Sequence, residues 1–192
     1  AEKQGIQLFL DQRETPYIMI TSECGSINTI RRLRSNPVKY WLSNLLWKAQ
    51  DKAPGSEAIN STLNLLSAGA WDNGIIPLQN RVAWDPDENA IWIDLADWRW
   101  RAVKVNAEGW KIHDRPPILF RRYKHMKPLP EPEIEGTASE IFDFANLRDP
   151  EEELLFLVTL VSYFVPGVPH VVIITHGPQG SGKTYAMKAA RS

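Results

Sequence analysis

Apolar residues recur along this chain with a spacing that changes from one stretch to the next, and each change predicts a different element. Near the start, Ile6 to Leu10 and Pro16 to Thr21 flank the polar segment Asp11-Gln12-Arg13-Glu14-Thr15, the pattern of two strands and a turn. A third strand is expected near Ile27 to Ile30. The spacing then lengthens. Asn36-Pro37 reads as a cap followed by proline at the first helical position, and Val38, Trp41, Leu42, Leu45, Leu46 and Ala49 fall on one helical face behind it. After Pro54-Gly55, Ser56 is expected to cap a second helix carrying Ile59, Leu63, Leu66 and Ala70. Helices joined by so short a link pack as a hairpin or at an angle.

From Ile75 to Arg122 the period drops to two. Ile91, Ile93 and Leu95 alternate with Trp92, Asp94 and Ala96, and Val103 and Val105 flank Lys104. Turn residues at Asp85-Pro86-Asp87-Glu88-Asn89 and Asn106-Ala107-Glu108-Gly109 separate the runs, and a last run follows Pro116-Pro117. Together they predict an antiparallel meander of roughly four or five strands. The core expected from both periodicities is Trp41, Leu45, Leu63, Ile91, Ile93, Val103 and Val105, with Trp92 and Asp94 outward.

Lys127-Pro128-Leu129-Pro130-Glu131-Pro132-Glu133 comes next. Each proline holds its predecessor extended, so this reads as a stiff, exposed linker. Thr137-Ala138-Ser139-Glu140 fits a capping box ahead of Ile141, Phe144 and Ala145. Asp149-Pro150 and three following glutamates start a helix striped with Leu154, Leu157, Val158, Val161 and Phe164, which Pro166-Gly167 stops. Val171 to Thr175 reads as a strand buried on both faces. The expected fold class is α+β. An N-terminal region with a helix pair and an antiparallel meander (1–127) precedes a linker (128–136) and the truncated start of a P-loop α/β ATPase domain (137–192).

The chemistry concentrates at Gly177-Pro178-Gln179-Gly180-Ser181-Gly182-Lys183-Thr184, a full match to G-x-x-x-x-G-K-[ST] behind an apolar run. Glycines let the backbone wrap an anion, and N–H groups at a helix start point at phosphates. Lys183 is the cation for the β/γ-phosphates of ATP, and the Thr184 hydroxyl is the Mg²⁺ ligand. The chain begins at Ala1 without a methionine and stops at Ser192, just past this motif. That predicts a fragment cut through its ATPase domain. Such a fragment would bind nucleotide but lack the acid, the water-positioning residue and the arginine finger of a hydrolytic motor, which normally lie downstream. With no sheet neighbours, residues 168–192 are expected to pack back on the helix at 150–164 or to pair with another copy of the chain.

Composition changes this picture little. Hydrophobic residues make up 43% and charged residues 23%, the balance of an ordinary globular chain. A single cysteine, Cys24, excludes a disulfide framework or Cys-rich zinc site and reads as a small buried or half-buried thiol. No secretory signal or apolar run long enough to span a bilayer is present, so a reducing cytoplasm is the default, with no membrane partner. Net charge is −1, but the distribution is uneven: nine Lys/Arg lie between Arg99 and Lys127 against Glu108 and Asp114. From Pro128 to Glu153 there are nine acids against Arg148 alone. The basic stretch, with Trp100, Trp110, Phe120 and Tyr123 interleaved, reads either as a nucleic-acid footprint centred on Arg121, Arg122 and Lys124 or as the solvated outer face of strands. Asp94 and Asp97 have a polymerase-type look, but strand spacing puts them on opposite faces. Asp85, Asp87 and Glu88 read as a solvated turn. His113, His125, His170 and His176 show no metal spacing.

The series Arg81-Val82-Ala83-Trp84, Ala90-Ile91-Trp92-Ile93-Asp94-Leu95, Arg101-Ala102-Val103-Lys104-Val105, Gly109-Trp110 and Pro117-Ile118-Leu119-Phe120-Arg121-Arg122 is distinctive. With Met126-Lys127-Pro128-Leu129-Pro130 and the loop at 177–184, it resembles a family of ATP-binding proteins of prophages, plasmids and integrated elements in bacteria and archaea. Those proteins are often assigned primase or helicase roles and are similar to poxvirus-type primase–helicases. The resemblance spans about residues 7 to 191. It implies ATP and Mg²⁺ at Gly177, Gly180, Gly182, Lys183 and Thr184 and work in DNA replication or mobilisation, with DNA, a primase or further copies of the chain as partners. Two other readings stay open. One is a P-loop kinase or nucleotide-dependent switch; the other is an N-terminal region that serves only structure or assembly.

Overall fold

Three strands open the fold: β1 (Gly5–Leu10), β2 (Pro16–Thr21) and β3 (Asn28–Arg32), antiparallel in the order β1-β2-β3. The computed structural model describes residues 5–21, 28–145 and 147–190. Cys24 lies outside the described residues. Leu8 stands opposite Ile18 and Phe9 opposite Tyr17. The turn between β1 and β2 is closed by its first residue, whose Oδ1 accepts the N–H groups of Arg13 at 2.9 Å and Thr15 at 2.8 Å.

Helices α1 (Asn36–Gln50) and α2 (Ser56–Asp72) follow as the periodicity predicts, but each cap sits one residue earlier than expected, at Ser35 and Gly55. Ser35 is extended and its hydroxyl makes no capping bond. The helices cover one face of the first sheet, where Ile18, Leu33, Val38, Leu42, Ile59 and Leu63 form a buried cluster with Trp41 packed against it. Leu45, expected in the core, is exposed. It shares the face of Val38 and Leu42, but one turn further along the helix it is Leu46 that packs against the cluster.

A four-stranded antiparallel meander forms the second sheet: β4 (Val82–Asp85), β5 (Ala90–Asp94), β6 (Ala102–Asn106) and β7 (Gly109–His113), in sequential order. The predicted turns lie where their Asp, Asn and Gly residues put them. The predicted register of β5 is wrong by one residue. Ala90, Trp92 and Asp94 are buried, while Ile91 and Ile93 are half-buried. Trp92 packs with Ala83, Ala102 and Phe120, and Asp94 finds Arg122 on the same inner side. A strand with apolar residues on both faces does not declare its inner one, and a one-residue shift exchanges the faces. Val103 is buried as expected, and Val105 is half-buried.

The two sheets are joined by residues 74–81. Leu10 N–H donates to Gly74 O at 2.9 Å and Ile76 N–H to Leu10 O at 2.8 Å. Further along, Gln79 N–H donates to Leu119 O at 2.9 Å and Arg121 N–H to Gln79 O at 2.7 Å. The run after Pro116-Pro117 is therefore not another meander strand. It makes a parallel bridge between Gln79 and Phe120, which carries Arg121 and Arg122 into the seam between the sheets. Phe9, Tyr17, Ile30 and Leu78 fill that seam. The proline-rich segment is tied down at its start: Leu129 N–H donates to Leu95 O at 2.8 Å, and Arg101 pairs with Glu131 at 2.5 Å.

Beyond it, Thr137 N–H donates to the Glu140 carboxylate at 2.8 Å, so the expected box forms, at the head of a 3-10 turn, Ala138–Phe144. Asp149 caps α3 (Pro150–Ser162), accepting from the N–H groups of Glu151 and Glu152 at 3.0 Å each. The chain then runs to α4 (Lys183–Ala189). Two expectations fail here. The apolar stripe of α3 is largely exposed at Leu154, Val158 and Val161, and Val171 to Thr175 form no strand, with Val172 84% and Ile174 82% exposed. A strand exists only by pairing, and among the described residues no sheet edge meets this segment. Part of the tail does fold back: Tyr163 Oη donates to Val171 O at 2.8 Å, and the rings of Phe144 and Tyr185 lie 5.8 Å apart. Exposed apolar surface of this extent recruits other chains. Light scattering of the chain should therefore rise with concentration, and the double substitution Val172→Asp, Ile174→Asp should suppress the rise. Among the described residues no helix is long and apolar enough to cross a membrane.

Candidate functional site

Glycines shape the loop at 177–184. Gly177 has φ of 146°, and a Cβ there would meet Ser181 Oγ at 3.0 Å. Gly180 and Gly182 also take positive φ, 85° and 77°, so the chain turns sharply into α4. Lys183 curls back over the loop, its Nζ donating to Gly177 O at 2.9 Å, Pro178 O at 2.7 Å and Ser181 Oγ at 3.1 Å. Among the described residues, the backbone N–H groups of Gly180, Gly182, Lys183 and Thr184 make no hydrogen bond. Thr184 is exposed at the head of α4. One ammonium held within a ring of loop oxygens, beside unpaired N–H groups and a free hydroxyl, fits a phosphate ester with a hard cation such as Mg²⁺.

The arginines of the basic stretch are placed differently from either sequence reading. Arg121 Nη2 pairs with Asp11 Oδ2, the arginine 11% and the aspartate 1% exposed. Arg122 forks onto Asp94, with Nε at 2.9 Å from Oδ2 and Nη2 at 2.5 Å from Oδ1, and a further N–H goes to Asp97 O. Its guanidinium carbon lies 4.0 Å from the centre of the Trp100 ring, which takes positive φ, 62°. Arg121 thus ties the segment after Pro117 to the first sheet, and Arg122 ties it to the second. Lys124 alone of the three is exposed.

Asp94 and Asp97 do not converge on one point, since Asp97 pairs with Arg101 at 2.6 Å. Burial alone would raise the Asp97 pKa, but the hydrogen bonds from Arg101 outweigh it and hold the carboxyl below its usual range. Among the described residues no group of His, Cys, Asp or Glu could hold a metal ion. Asp85 accepts the N–H groups of Asp87 and Glu88, as a turn does. Three of the histidines are in ring contacts: His113 with Trp92, His125 with Tyr123 and His170 with Tyr163. Sequence reading missed Asp11 and Asp94 as partners of the arginines. The signal was present in two acids at strand ends, but nothing local links residues this far apart in the chain.

No protein family, curated protein or solved structure matches this chain.

Proposed function

We propose that residues 177–184 bind the phosphates of a nucleoside triphosphate, in an ATP-driven protein of DNA replication or mobilisation belonging to a mobile element. The observation that carries the nucleotide reading is the loop itself, a complete motif whose glycines take positive φ and whose lysine sits against Gly177 and Pro178. In this reading Lys183 leaves the loop oxygens for the β/γ-phosphates, Gly180 and Gly182 let the backbone N–H groups approach them, and Ser181 and Thr184 lend hydroxyls. Mg²⁺ bound with the nucleotide would neutralise phosphate charge, with Thr184 as its protein ligand. The DNA part is supported by the resemblance of the 81–130 series to replication proteins and by the exposed Lys124.

Titration with a fluorescent ATP analogue tests the site. Lys183→Ala should weaken Mg²⁺-dependent binding by about 10–150-fold, the value of one hydrogen bond to a charged group. Chelating Mg²⁺ should weaken binding to the parent chain as well. Equal affinity in parent and variant would refute the reading. DNA affinity that falls as salt rises separates a replication protein from a small-molecule kinase or switch.

A further inference from the structure

Arg121 and Arg122 also border a cavity of about 510 Å³ between β3, the Asp11–Thr15 turn and the start of α1. Arg13, Arg31 and Arg32 line it too, so five guanidinium groups surround one opening. Asp11 neutralises Arg121, and Asp94, behind the wall, neutralises Arg122. Among the described residues, Arg13, Arg31 and Arg32 have no carboxylate partner. Fold stability explains the two paired arginines, and Arg31 lies 5.9 Å from the centre of the Trp100 ring, but among the described residues Arg13 and Arg32 have no such contact. Burial, and then the neighbouring Arg122 charge, lower the Arg31 pKa, so this cation is held where its charge is disfavoured.

Other features of the wall suit an anion. The Ser35 hydroxyl, freed from capping α1, is buried without a hydrogen-bond partner, and so is Nε of Arg121. Leaving such groups unpaired costs about 1–3 kcal/mol each. The N-terminus of α1, with its partial positive charge, opens at the same rim through Ser35 and Pro37. Tyr17 and the exposed ring of Tyr123 add flat aromatic surface. Guanidinium forks match phosphate oxygens, and rings beside them suit a base. The volume is that of a small-ligand site.

We propose that this cavity binds the phosphate of a nucleotide unit, at a site separate from the loop at 177–184. The unit comes either from single-stranded nucleic acid or from a free nucleotide. The inference does not rest on the nucleotide reading of residues 177–184, and Lys183→Ala serves as the background that removes any contribution of that loop.

In the full chain carrying Lys183→Ala, binding of a fluorescent single strand of about ten nucleotides is measured against salt, with ATP and pyrophosphate as competitors. Arg13→Gln together with Arg32→Gln removes two exposed cations without touching a buried pair, and circular dichroism checks that the fold is kept. The double change should weaken binding about tenfold and reduce the salt slope by about 1.4, the share of two phosphate contacts on a single strand. Displacement by ATP or pyrophosphate supports the site with a free nucleotide as the source, and binding of the strand without displacement supports it with nucleic acid as the source. No saturable binding of any of the three probes, or binding indifferent to Arg13 and Arg32, overturns it.

Discussion

Replacing Asp94 by alanine is expected to lower the stability of the chain by about 3–5 kcal/mol, because it strands the Arg122 guanidinium in the interior. Asp94 is 1% and Arg122 10% exposed, and the carboxylate accepts from Nε and Nη2 of Arg122 and from Ala96 N–H. Without Asp94, the Arg122 guanidinium keeps only Asp97 O and the Trp100 ring as partners. Urea unfolding should show the loss as a midpoint lower by about 2 M, given slopes of about 1–3 kcal/mol/M. The double change Asp94→Leu, Arg122→Met should recover most of it, since a buried ion pair replaced by apolar residues of similar size is often neutral. Lys124→Ala, at an exposed position of the same basic stretch, should stay within about 0.5 kcal/mol of the parent. If Asp94→Ala matched Lys124→Ala, the pair would not be a structural cross-link.

Trp92→Ala is expected to cost a further large amount, about 3–5 kcal/mol, from lost apolar contact and the cavity left behind. Trp92 is fully buried among Ala83, Ala102 and Phe120, with its ring 5.0 Å from that of His113 and its Nε1 donating to Asp85 Oδ2 at 3.3 Å. Small alanines on both neighbouring strands leave the indole no larger side chain to take its place. Ile91→Ala, one residue away on the other face, should cost nearer the average of about 1 kcal/mol for a single substitution. Thermal or urea unfolding of the two variants reads the register of β5 directly. A larger loss at Ile91 than at Trp92 would restore the pattern expected from alternation.

The turns at 177–184 were legible in the sequence because they are local. Their glycines, lysine and threonine are contiguous, and the turns they make depend on φ values that glycine alone adopts freely. The segment before them was not legible. Val171 to Thr175 has the composition of a buried strand, yet composition expresses only the capacity to pair, and pairing needs an edge supplied from elsewhere. The apolar stripe of α3 likewise specifies a helix without specifying what covers it.

Elements were thus set by the sequence itself wherever they depend on neighbours within a few residues. These include the strands around the Asp11–Thr15 turn, both helices before the meander, the turns of the meander, and the cap at Asp149. Tertiary structure alone decided three things: which face of β5 is inside, where the arginines point, and which cations lack partners. Asp94 and Arg122 lie 28 positions apart and Asp11 and Arg121 lie 110 apart. No periodicity spans such separations. Residues 74–81 bring them together by bonding to Leu10 on one side and to Leu119 and Arg121 on the other. Burial then makes an unpaired charge costly, and that cost turns an exposed-looking basic stretch into the seam that holds the two sheets together.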